Sequence, residues 1–173
     1  MMPITKQTIA IIGSSSLVGT FIAKGLCGEN YRLLLVEKNG EEAKALSDEI
    51  CTSVNGADVE FSECTHQASW EADVIFIVYQ EPLLKQLSEK ITDVSAQKIV
   101  AVTLGAESRT ALKDVESLFP NSRIVGLVLS ESESESIVLD SEHASDLNVV
   151  REMLAHAGLN VTLKELVSGK TPG

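Results

Sequence analysis

Thr8–Ile9–Ala10–Ile11–Ile12–Gly13–Ser14–Ser15–Ser16–Leu17–Val18–Gly19 decides the fold of this chain. Its first five residues are β-branched except Ala10, and they carry no polar face. Such a run belongs in the middle of a parallel sheet, covered by helices on both sides. Gly13 ends the run, a three-serine turn follows, and Gly19 lies inside an apolar stretch that continues to Leu26. Val18, Ile22 and Leu26 recur every four residues and form one helix face. Buried strand, glycine turn and helix in succession are how a dinucleotide-binding unit begins, with the helix N-terminus aimed at a pyrophosphate. Gly13 and Gly19 keep the spacing G-x-x-x-x-x-G, but the middle glycine of the G-x-x-G-x-x-G form is replaced by Ser16.

Downstream, strands and helices alternate. Tyr31–Val36 is a second apolar strand and ends in the turn Glu37–Lys38–Asn39–Gly40. The preceding helix is expected to stop at Gly25 or Gly28. A helix over about Glu41–Cys51 carries Ala43, Leu46 and Ile50 on one stripe, and its acidic start suits a helix N-terminus. Asp58–Phe61 alternates polar and apolar, as an edge strand does. Ala72–Val78 is again strongly apolar, and Pro82 then opens a helix lined by Leu84, Leu87 and Ile91. Lys98–Val102, a helix marked by Leu112, Val115 and Leu118, and Arg123–Leu129 follow. After the acidic stretch Ser130–Ser136 come a short strand at Ile137–Leu139, a helix with Leu147, Val150, Leu154 and Ala157 on one face, and a closing strand at Leu159–Leu163. This alternation predicts an α/β fold: a doubly wound, mostly parallel sheet with helices on both faces. No linker or internal repeat interrupts it, so residues 1–173 are expected to form a single domain with a loose tail at about 168–173.

Composition narrows the function. A chain of 173 residues with 44% apolar residues builds a proper core. Aromatics are only 4%, so that core is mainly Ile, Leu, Val and Ala. The formal charge of −11 argues against nucleic acid and against an anionic membrane surface. Cys27, Cys51 and Cys64 show no pairing pattern, which points to reduced thiols and a cytoplasmic home. Residues 1–7 carry no long apolar segment, so no signal peptide is expected.

The order of these pieces resembles the N-terminal Rossmann domain of the deazaflavin-dependent NADP oxidoreductases, a domain also found in pyrroline-5-carboxylate reductase. The resemblance covers nearly the whole chain. It is carried by Ile11–Ile12–Gly13 with Gly19–Leu26, by Ala72–Val78, by Phe119–Pro120–Asn121–Ser122–Arg123–Ile124–Val125 and by Val149–Leu159. It implies NAD or NADP as cofactor and hydride transfer to a flavin-like or small acceptor. The chain departs from the family in three places. Ser16 replaces the middle glycine, Tyr79–Gln80–Glu81 intervenes before Pro82 where members commonly carry a pocket proline, and Ser130–Ser136 stands where members enter a substrate-contacting segment. No substrate domain is expected beyond the final helix; a homodimer is one way to supply the absent pocket wall.

The candidate cofactor-binding residues follow from the fold. Gly13, Ser14, Ser15, Ser16, Leu17, Val18 and Gly19 form the turn at the helix start, where backbone N–H groups and serine hydroxyls are able to hold a diphosphate. Against this, a Cβ at Ser16 fills space that glycine leaves for phosphate, and the turn then becomes a degenerate loop. Glu37, at the tip of the second strand, stands where an acidic residue accepts hydrogen bonds from the adenosine ribose. It repels a 2′-phosphate and so favours NAD over NADP, while Lys38 beside it softens the preference; the alternative is an ordinary solvated turn. Tyr79, Gln80 and Thr103 lie at carboxyl ends of central strands, beside the crevice where such folds bind ligands. Tyr79 either stacks near a nicotinamide or plugs the pocket. Cys64 and His66 have metal-ligand spacing but no second pair, so surface or packing roles are favoured, as they are for His143 and His156. No catalytic acid or base is evident. Three functions therefore stand: an NAD(P)-dependent oxidoreductase, a non-catalytic nucleotide-binding sensor or subunit, and a structural remnant acting through protein contacts.

Overall fold

The computed structural model describes residues 6–78, 81–104, 109–129, 136–158 and 160–163. Within them run β1 (Gln7–Ile12), α1 (Leu17–Leu26), β2 (Tyr31–Val36), α2 (Gly40–Ser53), β3 (Asp58–Ser62), α3 (Thr65–Glu71) and β4 (Val74–Ile77). They are followed by α4 (Glu81–Ser95), β5 (Ile99–Leu104), α5 (Arg109–Leu118), β6 (Arg123–Leu129), β7 (Ser136–Asp140), α6 (Ala144–His156) and β8 (Asn160–Leu163). The strands form one eight-stranded sheet in the order β3-β2-β1-β4-β5-β6-β7-β8. The expected α/β doubly wound, mostly parallel sheet is what the chain adopts: every neighbouring pair is parallel except β6 and β7. That exception follows from length. Only residues 130–135 separate β6 from β7, whereas a parallel crossover needs about a dozen residues or more.

Alternation along each strand sorts the core into two layers. In β1, Ile9 and Ile11 pack on one side with Ile22, Leu26, Ala43, Ile50, Val150 and Leu154, which come from α1, α2 and α6. Ala10 and Ile12 face the other way, with Ala68, Leu84, Ile91, Leu112 and Val115 from α3, α4 and α5. A strand hidden on both faces has no use for a polar residue, which is why Ile9–Ile12 of β1 reads as an unbroken apolar run. Among the described residues Phe76 and Phe119 are the only aromatics in the set of largest fully buried side chains, and the rest are Ile and Leu.

Some local expectations change. Gly25 is not a helix stop: α1 continues to Leu26 and ends on Cys27, which stays in the right-handed helical region. Gly25 is instead the point where α1 lies against α6, because a Cβ there would sit 2.6 Å from Ala157 Cβ and 2.7 Å from its carbonyl oxygen. The strand expected over Ala72–Val78 is shorter. Ala72 closes α3, its N–H donating to Ala68 O, and Asp73 brackets the start of β1. The Asp73 N–H donates to Thr8 O at 2.7 Å, while its carboxylate accepts the Thr8 N–H at 2.9 Å.

Helix α3 was not anticipated from sequence. Its seven residues carry only a short apolar stripe, and its ends are made by side chains. Cys64 is its N-cap, Sγ accepting the Gln67 N–H at 3.4 Å. At the other end Lys98 Nζ donates to the carbonyls of Ser69 and Trp70 at 2.7 and 2.8 Å. His66 pairs with Asp93 of α4 at 2.9 Å, and that hydrogen bond holds the Asp93 carboxyl below its ordinary value. Cys64 and His66 thus serve helix ends and packing. Among the described residues no group of three His, Cys, Asp or Glu side chains gathers to hold a metal, and no helix is long and apolar enough to cross a membrane.

The acidic stretch 130–135 and the tail expected at 168–173 lie outside the described residues.

Candidate functional site

Strand order reverses direction at β1: β2 and β3 lie to one side of it, and β4, β5 and β6 to the other. In open α/β sheets the crevice outside the carboxyl ends of the strands at such a point is where ligands bind. The β1–α1 turn sits there. Val78, just past β4, seals the strand ends by donating its N–H to Ile12 O at 2.8 Å.

Gly13 adopts φ +91°, a left-handed conformation that side-chain-bearing residues rarely take. Its N–H donates to Val36 O at 2.9 Å, and the Ser14 N–H reaches the same carbonyl at 3.3 Å, so the turn is tied to the end of β2. Ser14 is fully buried. Thr20 Oγ1 donates to Ser14 O at 3.0 Å, anchoring the turn to the helix that follows it.

Ser16 is the N-cap of α1. Its Oγ donates to Gly13 O at 2.7 Å and accepts the Gly19 N–H at 3.0 Å. The hydroxyl therefore folds back into the turn and does the work of a helix cap. Thr20 N–H finds Ser16 O at 2.9 Å. Leu17 and Val18, at the start of the helix, have no intrahelical acceptor for their N–H groups, which is the general condition of a helix N-terminus.

Gly19 explains the second glycine of the motif. A Cβ built there would overlap Gly13 O and approach Ser14 Cα at 2.9 Å and Ser16 Oγ at 3.0 Å. Helix α1 begins in direct contact with the turn, and only glycine permits that approach.

Glu37 closes the other wall. Its Oε2 accepts the Ser15 N–H at 3.0 Å and the Ser15 hydroxyl at 2.5 Å, and its Oε1 accepts the Lys38 N–H at 3.2 Å. The short hydroxyl contact is of the charge-assisted kind. Ser15 and Lys38 are exposed and Glu37 is half-buried, so the carboxylate lies at the open rim of the turn.

The structure therefore brings together Gly13, Ser14, Ser15, Ser16, Gly19, Glu37 and Lys38, with the backbone of Leu17 and Val18. Thr103 stands apart: it is half-buried at the end of β5, which β4 separates from β1, and it pairs in register with Leu127 of β6. Tyr79 and Gln80 lie outside the described residues. Two contributions escaped the sequence. Thr20 looked like a plain helix residue, and the partnership of Ser15 with Glu37 joins positions 22 residues apart. Only the adjacency of β1 and β2 creates it.

Other ionic contacts lie away from the crevice. Arg32 bridges Glu60 and Glu71 at 2.8 and 3.4 Å, and Glu60 is the main cause holding its guanidinium above its ordinary value. Arg123 pairs with the buried Asp146 in the first turn of α6.

No family model matches the sequence, and no curated protein matches it. Solved structures do. Pyrroline-5-carboxylate reductase from Coxiella burnetii superposes with a TM-score of 0.72 at 15% identity, over 93% of this chain and 60% of that one. Prephenate dehydrogenase from A. aeolicus, in complex with hydroxyphenyl propionate and NAD+, gives 0.70 at 14% identity, over 94% of this chain and 60% of that one. Plasmodium falciparum pyrroline carboxylate reductase with NADP bound gives 0.67 at 12% identity, over 92% and 58%. The chain thus spans about three fifths of these proteins' length. At such identities the likeness is one of fold, that of the NAD(P)-binding Rossmann dehydrogenases and reductases.

Proposed function

We propose that the crevice at the carboxyl ends of β1 and β4 holds a nicotinamide dinucleotide, and that the chain is an NAD(P)-dependent oxidoreductase or the cofactor-binding part of one. The observation that carries this is the contact of Gly19 with the Gly13 turn: the N-terminus of α1 is packed where a Cβ would not fit, at the switch point of the sheet. The residues present fit the group. The N–H groups of Leu17 and Val18 would meet the pyrophosphate, the exposed Ser15 would line its approach, and Glu37 would accept a ribose hydroxyl. A 2′-phosphate would be repelled by Glu37, so NAD is favoured, with Lys38 moderating the preference. Thr103, at the carboxyl end of β5, is the described candidate for the nicotinamide side of the crevice, two strands from β1.

The dinucleotide, when bound, supplies the hydride. The protein's part is to bind, orient and exclude water, which is the main requirement of hydride transfer between bound partners. The acceptor is a small or flavin-like molecule, in keeping with the resemblance to deazaflavin-dependent oxidoreductases, and a second copy of the chain would complete the pocket.

One observation favours a second reading, a turn that no longer takes nucleotide. The N–H groups of Ser15 and Gly19 and the hydroxyls of Ser15 and Ser16 are already bonded within the protein. Titration with NADH and NADPH, followed by nicotinamide fluorescence and by calorimetry, separates the two. Micromolar binding of NADH, tighter than NADPH, is the expected result, and Glu37→Ser should move the ratio toward NADPH. If neither ligand binds at millimolar concentration, the dinucleotide proposal is wrong. With binding established, an acceptor screen distinguishes an enzyme from a sensor.

A further inference from the structure

We infer that Ser15 sets how the Glu37 carboxylate meets the ribose of an adenine nucleotide, and so tunes affinity for ligands with a free vicinal diol; this rests on the dinucleotide reading above. A carboxylate offers about four acceptor positions. Three are engaged here. Oε2 takes the N–H and the O–H of Ser15, and Oε1 takes the Lys38 N–H. A ribose that donates both its 2′- and 3′-hydroxyls needs two positions, and among the described residues' contacts one remains.

The three protein donors are not equally able to give way. The two N–H groups are fixed by the backbone. The Ser15 hydroxyl belongs to an exposed side chain and turns about one torsion. A diol therefore either engages Glu37 through one hydroxyl or drives the Ser15 hydroxyl off Oε2. In both cases the Ser15 O–H competes with the ligand, while the Ser15 N–H keeps the carboxylate over the turn. Ser15 is a positioning residue that acts through Glu37. Because its competition concerns the second hydroxyl, it is felt by a ribose and not by a 2′-deoxyribose.

The test is calorimetric titration of the full chain and its Ser15→Ala variant with ADP and with 2′-deoxy-ADP. Removing the hydroxyl frees one acceptor position and leaves the backbone bond that holds Glu37. Ser15→Ala should tighten ADP by about three- to tenfold, the weight of one net hydrogen bond, and leave 2′-deoxy-ADP unchanged. Ser15→Thr, which keeps the hydroxyl, should behave as the wild type. If Ser15→Ala weakens ADP, leaves it unchanged, or tightens both ligands equally, the inference fails while nucleotide binding stands. If neither ligand binds either protein at millimolar concentration, this inference fails, and the NADH and NADPH titration decides the dinucleotide reading separately.

Discussion

Substituting alanine for Gly19 sets two effects against each other. Inside a helix, alanine is favoured over glycine by about 0.8–1 kcal/mol, so an unobstructed substitution would stabilise α1. Here the new Cβ would overlap Gly13 O, approach Ser14 Cα at 2.9 Å and meet Ser16 Oγ at 3.0 Å, where 3.4–4 Å is ordinary contact. Two of these three atoms are backbone, in a turn pinned to Val36 O by the N–H groups of Gly13 and Ser14. Relief demands that α1 lift from the turn by about half an ångström, and because two of the three contacts are with pinned backbone the overpacking cost is in the upper part of the usual range, about 2–3 kcal/mol. After the propensity gain, a net loss of about 1–2 kcal/mol is expected. With a urea m-value of about 2 kcal/mol/M, the unfolding midpoint should fall by about 0.5–1 M, read by far-UV circular dichroism. Gly28→Ala is the control, because a Cβ there meets nothing within 4 Å and its midpoint should not fall. A Gly19→Ala midpoint equal to or above the wild type would refute the close-contact argument. The same variant should weaken NADH binding, because the lifted helix carries the N–H groups of Leu17 and Val18 away from the turn.

Three other outcomes follow from the structure. Gly25→Ala should destabilise by about 1–2 kcal/mol, the cost of colliding with Ala157 where α1 meets α6 less the helix-propensity gain, and Ala157→Gly should recover part of that loss in a double-mutant cycle of urea midpoints. Asp146 is 2% exposed, whereas the Arg123 side chain is 46% exposed. Arg123→Ala therefore strands a buried carboxylate and should cost more than Asp146→Ala, which leaves the guanidinium facing water; equal losses would show that burial of Asp146 does not govern the pair. Burial pushes the Cys27 thiol above its ordinary value of 9.0, so above that pH the folded state holds the proton more tightly than the unfolded chain. Its contribution is full below pH 9.0 and is lost as pH rises through the higher folded value; Cys27→Ala should flatten that alkaline decline, and an unchanged slope would remove Cys27 as its source.

Much of this protein was legible in its sequence because the signals were local. An apolar run without a polar face announces a central strand, and β1, β2, β4 and β5 each fell where that pattern lies. Gly13 and Gly19 marked the turn for the same reason: one needs a left-handed backbone and the other needs the absence of a Cβ, and both needs are met by a residue type visible in the chain. Alternation of strands and helices then carried the fold class, while the strand order came from the tertiary structure.

What the tertiary structure decided depends on residues far apart in sequence. Gly25 resembled a helix stop until α6 was laid across it, since nothing near position 25 announces Ala157. Helix α3 is stabilised at its end by Lys98, 28 residues beyond Trp70, so its own seven residues gave too weak a pattern. The antiparallel turn of β7 came from chain length rather than from strand composition. At the candidate site, sequence supplied Ser15 and Glu37 separately, but their hydrogen bonds exist only because β1 and β2 run side by side and end together. Local conformational preference and periodicity are written along the chain; close approach and competition for a hydrogen-bond acceptor arise only when distant segments meet.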